Sequence, residues 1–369
     1  MAKVFKEKVV DIAPFDSLSY VNSAPTISAK LKVNFADFRV TENLGFNPTK
    51  NGDHLFIKVR KMDLSTLEVA RKISEVTGSK LSSIGYSGMK DKRGECVQWF
   101  SIPTGEGIEK AISSIENNKL NVITSHLNTR KLRIGSHKEN HFHIKLRDCQ
   151  GSKLEFKNRM DRIMEHGVPN YFGEQRFGKE MHNVYEMLRI LKKPSSAIDS
   201  NFSEYLRIKI PVKRSILISA VRAYFFNQLL STRLLLKNWS HYLLGDILNL
   251  DGTDSYFSVP DKKWDETLEQ RLNSFDIHIS GLLPGSISSK DKYITSCKAA
   301  DIESNLMKNY EPLLEGLRRM KVSSSRRPLR FRPKNFQFFW EGDDLLSLDF
   351  SLRRGCYATS LLREICQIR

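Results

Sequence analysis

The stretch Ser87–Pro103, SGMKDKRGECVQWFSIP, joins a charged loop to a strand. Lys90-Asp91-Lys92-Arg93, flanked by Gly88 and Gly94, is polar and glycine-bounded and is predicted as a loop. Val97 to Ile102 alternates in the manner of a strand. A charged turn between strands is ordinarily solvated surface. Here, however, one carboxylate sits among cations on a loop fixed by glycines, beside strands expected in a sheet interior. Neighbouring positive charge keeps an aspartate ionised, and an ionised carboxylate that reaches a sugar or base is a competent nucleophile.

Working outward, the first third predicts mixed strand and helix. Lys30 to Glu42 is apolar near period two, with Phe38, Val40 and Glu42 on one face. A strand follows near His54 to Val59. Ser65 and Glu68 have capping-box spacing before a helical stripe of Leu67, Ala70 and Ile73, and Gly78 is placed to end that helix. Short strands are expected at Ile84–Tyr86 and in the second half of Lys131–Arg147. The middle predicts helices at Glu155–His166, Lys179–Lys192 and Ser215–Trp239, the last apolar almost all round and so buried. Near the C-terminus Phe336, Phe338 and Trp340 precede a Glu-Gly-Asp-Asp turn, with Leu346, Leu348, Phe350 and Leu352 after it, which predicts a hairpin and then a helix from about Thr359. Strand-rich ends around a helix-rich middle indicate a mixed α/β fold: a sheet domain interrupted by an insertion.

The chain has 369 residues, 40% hydrophobic, and a formal charge of +17 from 59 Lys and Arg against 42 Asp and Glu. A basic excess of this size favours a polyanionic partner, because neutralising phosphates releases condensed counterions. Met1 to Tyr20 has no apolar core of signal-peptide length and no stretch is long and apolar enough for a spanning helix, so a cytoplasmic protein is expected. Cys96, Cys149, Cys297, Cys356 and Cys366 are odd in number, widely spaced and without a CxxC pair, which fits reduced thiols. His137, His141 and His143 lack a cysteine or carboxylate at a recognised zinc spacing, and Gly281 to Gly285 lacks the Lys-Ser or Lys-Thr of a P-loop. No metal is expected.

The loop GMKDKRGECVQWF resembles the signature of the TruD family of pseudouridine synthases. Similar runs follow the family's order along nearly the whole chain: FADFRVTENLGF (Phe35–Phe46), KLRIGSHKENHFHIKL (Lys131–Leu146), VPNYFGEQRFG (Val168–Gly178), SAVRAYFFNQLLSTRL (Ser219–Leu234), SGLLPGS (Ser280–Ser286) and CYATSLLRE (Cys356–Glu364).

The resemblance implies a pseudouridine-synthase catalytic domain at 1–166 and 305–369, with a large, mainly antiparallel sheet. A TruD insertion domain is expected at 167–304, and the two lobes should flank a cleft. Asp91 matches the family nucleophile. Lys90 is expected to hold it ionised and to counter charge developing on uracil, with a simple phosphate contact as the rival role. Phe38, Asn140 and Phe142 match aromatic and Asn-x-Phe positions. In a strand Asn140, Phe142 and Ile144 share a face, and a flipped-out uracil needs both a ring to stack on and an amide to read its edge. Glu42 matches an acidic position, either as a substrate contact or as an ion-pair partner of the basic loop. Tyr357 stands where Phe is expected, leaving its contact open. The implied substrate is tRNA at uridine-13 in the D-arm, with neither cofactor nor obligatory protein partner, by a monomer. Leu317 to Lys334 holds eight Lys or Arg and no acid. From this run and the Arg130-Lys131-Arg133 cluster, Arg133, Arg326, Arg327, Arg330 and Arg332 are expected to contact phosphates. The rivals are the same isomerisation on another RNA, and a catalytically silent RNA-binding protein.

Overall fold

The computed structural model describes residues 12–191, 211–260, 263–286 and 293–369, so the last residue of the helix expected at Lys179–Lys192 lies outside the described residues. Two compact units divide the chain. One, the sheet unit, consists of 25–161, 333–358 and 365–369; the other, the helical unit, gathers the described parts of 1–24, 162–332 and 359–364.

From its N-terminal side the chain forms β1 (Ser28–Leu31), β2 (Phe38–Asn43), β3 (His54–Met62), α1 (Thr66–Thr77), β4 (Gly85–Tyr86), β5 (Glu95–Pro103), α2 (Ile108–Ser113), β6 (Leu120–Asn128), β7 (Glu139–Gln150) and α3 (Lys153–His166). There follow β8 (Val168–Pro169), α4 (His182–Leu191), α5 (Pro211–Leu235), β9 (Ile247–Leu250), β10 (Tyr256–Ser258), α6 (Glu266–Asn273), β11 (Ile277–Leu283), α7 (Cys297–Asn309), α8 (Glu311–Arg319), β12 (Ser325–Pro328) and β13 (Arg330–Phe331). The sheet unit is then re-entered by β14 (Lys334–Trp340) and β15 (Leu346–Arg353), and after α9 (Ala358–Ile365) by β16 (Gln367–Ile368).

The ten-stranded sheet runs β14-β15-β7-β2-β5-β3-β6, with β1, β16 and β4 attached beside this path. Its neighbours are antiparallel except for β2–β5 and β1–β16. The expected hairpin is β14–β15, with Trp340 opposite Leu346. Strand β7 lies inside the sheet between β15 and β2 and fixes register on both sides: Phe142 faces Val40 of β2 and Phe350 of β15, and Asn140 faces Glu42 and Leu352. One side of the sheet is closed by α1. Its capping box is complete, Ser65 Oγ accepting from Glu68 N–H and the Glu68 carboxylate accepting from Ser65 N–H at 2.7 Å, and Gly78 at φ 66° ends it. Val69, Ala70 and Ile73 of α1 pack with Leu55, Ile57, Val59, Phe100 and Ile102 in one buried cluster.

In the helical unit α5 is the buried helix that its all-round apolarity predicted, with Ala220, Tyr224, Phe225, Phe226 and Leu230 each at most 2% exposed. The helix expected from Lys179 begins instead at His182, because Glu180 stands in the left-handed region at φ 50° and leaves only a 3₁₀ turn before it. Residues 305–332, expected with the sheet domain, group with the helical unit. The reason is that Leu313, Leu317 and Met320 bury themselves against Val184, Leu188 and Val221 of α4 and α5.

The basic run Leu317–Lys334 is largely spoken for inside this unit, which corrects the phosphate-contact expectation for three arginines. Arg326 is 7% exposed and bonds Glu303 at 2.6 Å and Ser280 Oγ at 2.8 Å. Arg330, 4% exposed, donates to the carbonyls of His166 and Leu272, its ring neighbour being Phe275 at 4.3 Å; burial pushes its guanidinium down to about 10. Arg327 lies 4.1 Å over the Phe172 ring and donates to Asn170. Guanidinium groups so committed hold strands and loops together; only Arg332 of the four is exposed. Removing one partner of a buried pair strands the other charge, so Glu303→Ala should destabilise the protein by about 3–5 kcal/mol. Urea unfolding checks this, and a loss below about 1 kcal/mol would return Arg326 to the phosphate-contact candidates.

Candidate active site

The loop that carries Asp91 is suspended from buried polar side chains. The Lys90 N–H donates to Thr66 Oγ1 (2.9 Å), the Thr66 hydroxyl donates to Gln98 Oε1 (3.0 Å), and Gln98 Nε2 donates to the Gly88 carbonyl (2.6 Å). Thr66 and Gln98 are fully buried. Thr66 opens α1 and Gln98 lies on the core face of β5, so helix and sheet together set the loop's position. Lys92 pairs with Glu68 of the capping box at 2.9 Å. Gly94 closes the loop against β2, where a Cβ at residue 94 would lie 2.7 Å from the Phe38 carbonyl oxygen; any larger residue would push loop and strand apart.

Held this way, the Asp91 side chain keeps 35% exposure and its Oδ1 lies 3.1 Å from Lys32 Nζ. That ammonium also stands 4.0 Å over the Phe38 ring, a cation–π contact worth roughly 0.5–2 kcal/mol. Phe38 meets Phe142 edge to face (6.1 Å, 71°), and Phe142 stacks on Phe350 (5.3 Å, 17°). Asp91, Lys32, Phe38 and Phe142 therefore form one continuous set of contacts, which unites the loop with the aromatic face of β2 and β7.

Lys90 does not pair with Asp91. Its Nζ lies 2.7 Å from Glu42 Oε2 and both side chains are buried, while Glu42 Oε1 accepts the Trp99 N–H. The pair is close, but its alignment falls short of a hydrogen bond at Oε2. Of the two expectations for Glu42, this geometry fits the ion-pair partner of the loop. The cation expected at Asp91 is supplied by Lys32 instead. Beside the pair, Asn140 Nδ2 lies 3.2 Å from His137 Nε2. Among the described residues Asn140 Oδ1 and Ser87 Oγ are buried without a hydrogen-bond partner, and His137 Nδ1 has only a poorly aligned approach to the Ser87 main chain. Buried polar atoms are rarely left so, which makes these three candidates for contact with a polar group.

Of the remaining expected residues, Arg133 and Tyr357 belong to the same unit. Arg133 is exposed in the loop before β7, which is tied to the Asp91 loop by Gly135 N–H donating to the Ser87 carbonyl at 2.6 Å. Tyr357 is half-buried between β15 and α9. The three histidines weighed for a metal do not converge: His137 belongs to the buried cluster, whereas His141 and His143 share Asp349, each at 3.3 Å. Lys32, Lys61, Thr66, Gln98 and His137 were not singled out by sequence for this site. Gln98 carried a legible signal, an amide in phase with the buried Phe100 and Ile102.

Burial, and then the cation of Lys90, hold the His137 imidazole below the usual histidine range. A folded pKa depressed in this way means that the unfolded chain takes up the proton first. Stability is therefore complete above about pH 6.5 and is lost as pH falls below it. His137→Leu should flatten the fall in thermal midpoint between about pH 7 and pH 5; an unchanged slope would show that His137 is not its source.

The family model described as tRNA pseudouridine synthase D (TruD) matches residues 15–205 and 186–365. Curated relatives named tRNA pseudouridine synthase D include those of Methylococcus capsulatus, 33% identical over 97% of this chain and 96% of the relative, and Histophilus somni, 34% identical over 96% and 99%. A solved Methanosarcina mazei chain described as tRNA pseudouridine synthase D superposes with a TM-score of 0.71 over 94% of this chain and 95% of that one. At 21% identity it speaks to the fold alone. Among the described residues no helix is long and apolar enough to cross a membrane. With its matched motifs in order and its relatives aligned nearly end to end, the chain belongs to the TruD family of tRNA pseudouridine synthases.

Proposed function

We propose that this chain is an isomerase that converts a uridine of tRNA, at position 13 of the D-arm, to pseudouridine, with Asp91 as nucleophile. The observation that carries this reading is the Asp91 carboxylate, part-exposed and paired with Lys32 beside the Phe38 and Phe142 rings. Attack by Asp91 on the nucleotide leads to cleavage of the bond between ribose C1′ and uracil N1. The uracil turns and rejoins C1′ through C5, and the bond that Asp91 formed to the nucleotide breaks, returning the free carboxylate. The C5 proton is released and N1 ends protonated, so atoms balance and no oxidant or reductant is required.

Each element has a task in this sequence. Lys32 favours the ionised form of Asp91 and restrains its carboxylate. The unpartnered Asn140 Oδ1 can accept from the imide N–H of uracil, which cytosine lacks. Phe38 and Phe142 give the base an apolar wall. Lys90, paired with Glu42, anchors the loop to β2 and leaves the Asp91 carboxylate to Lys32. Extracting a stacked base costs a few kcal/mol, and phosphate contacts by exposed cations, Arg133 and Arg332 among them, offset that cost.

Tritium release from [5-³H]uridine-labelled tRNA tests the chemistry. Wild type should release tritium and Asp91→Ala should not, with RNA binding retained; no release by either would favour a silent RNA-binding protein. Mapping pseudouridines in RNA from cells lacking the gene tests the substrate, and loss from another RNA with tRNA position 13 unchanged would reassign it. Affinity should fall by roughly 0.7–0.9 log units per log unit of salt for each phosphate contacted. A slope near zero would remove the exposed arginines from the RNA interface.

A further inference from the structure

Lys61 occupies an unusual place for a lysine. It lies on β3 in phase with Leu55, Ile57 and Val59, the residues that face the α1 core, and like Ile57 and Val59 it is 0% exposed. Its ammonium donates to two carbonyl oxygens, Leu64 at 2.6 Å and Asp91 itself at 2.8 Å. Among the described residues it forms no ion pair with a carboxylate. The Cys96 thiol, also fully buried, shares the Asp91 carbonyl at 3.6 Å. Burial pushes the Lys61 ammonium below the usual lysine range, with Cys96 and Asp91 pulling the other way.

A fully buried cation held by carbonyls alone is costly, and an apolar side chain of similar length would serve the core of β3 better. The cost has a local return. Thr66 and Gln98 fix the loop at Lys90 and Gly88, but of these buried side chains only Lys61 reaches the backbone of Asp91. Without it the nucleophile's own carbonyl would keep only the weak Cys96 thiol contact, one residue after the last fixed point, and its carboxylate would be free to swing relative to Lys32. We infer that Lys61 is a positioning residue for catalysis, pinning the Asp91 main chain from inside the sheet so that the carboxylate is presented in one orientation. The inference rests on Asp91 being the nucleophile of the proposed isomerisation, and it concerns the residue's geometry and not contact with RNA.

The test compares wild type with Lys61→Met, which keeps the unbranched stem one atom shorter and removes charge and donor, and Lys61→Gln, which keeps a shorter neutral donor. Single-turnover tritium release from [5-³H]uridine-labelled tRNA is measured at saturating enzyme, together with the tRNA Kd and the thermal midpoint of each variant. The expected result for Lys61→Met is a rate lower by about 100-fold, the scale of an ångström-sized misplacement. Its Kd should stay within about threefold and its melt should be cooperative at or above the wild-type midpoint, since a buried charge has been removed. Lys61→Gln should fall between the two in rate. A purely structural lysine would instead lower the midpoint and leave the rate of the folded fraction unchanged. That outcome, or a rate within threefold of wild type, or failure of both variants to fold, overturns the inference. If wild-type protein itself releases no tritium, the proposed function fails, and that failure is read separately.

Discussion

A carboxylate that attacks carbon has to be ionised, within reach of substrate and immobile, and these demands oppose one another. Exposure to substrate invites motion, and burial raises the cost of charge. In this chain the conflict is resolved by dividing the loop between two environments. Its main chain is bonded to side chains that are wholly buried, Lys61, Thr66 and Gln98, while the Asp91 carboxylate emerges to meet Lys32. Everything else in the sheet unit serves that division. Helix α1 must begin at Thr66 for its hydroxyl to reach the loop, and the Ser65–Glu68 capping box fixes that start. Strand β5 must keep its register for Gln98 to face inward, and the β3 and β2 pairings on either side impose it.

A second feature is the division of labour between two lysines, one adjacent to Asp91 in sequence and one remote from it. Lys90 precedes Asp91, yet its side chain turns into the protein and is neutralised by Glu42. Lys32, far away in sequence, supplies the cation at the carboxylate and at the Phe38 ring. A buried pair of this kind is weak as a source of net stability, because desolvation offsets attraction. Its value lies in direction: it fixes where the loop and β2 meet, next to Asn140 and His137.

Much of this was legible from local sequence. Alternation placed Phe38, Val40 and Glu42 on one face of β2 and Asn140, Phe142 and Ile144 on one face of β7, and the β14–β15 hairpin followed from its Glu-Gly-Asp-Asp turn. What local pattern could not supply was partnership across the fold. Arginine density suggested RNA, whereas Arg326 and Arg330 find a carboxylate and carbonyls in their own unit, a match set by tertiary packing. The same limit hid Lys32, whose partner is 59 residues away. Lys61 is different. A charged residue in phase with Leu55, Ile57 and Val59 is visible as a break in pattern, and such breaks mark functional sites more often than errors of folding.

The central claim is that the Asp91 carboxylate faces the sugar of an everted uridine whose base lies against Phe38 and Phe142 with Asn140 at its edge. The most direct measurement is a crystal structure of the Asp91→Asn variant bound to its tRNA. The account predicts the residue 91 side chain about 3–3.5 Å from the target nucleotide, with the Asn140 amide hydrogen-bonded to uracil. A target base still stacked in the RNA helix, or everted into a pocket away from Asp91, would contradict it.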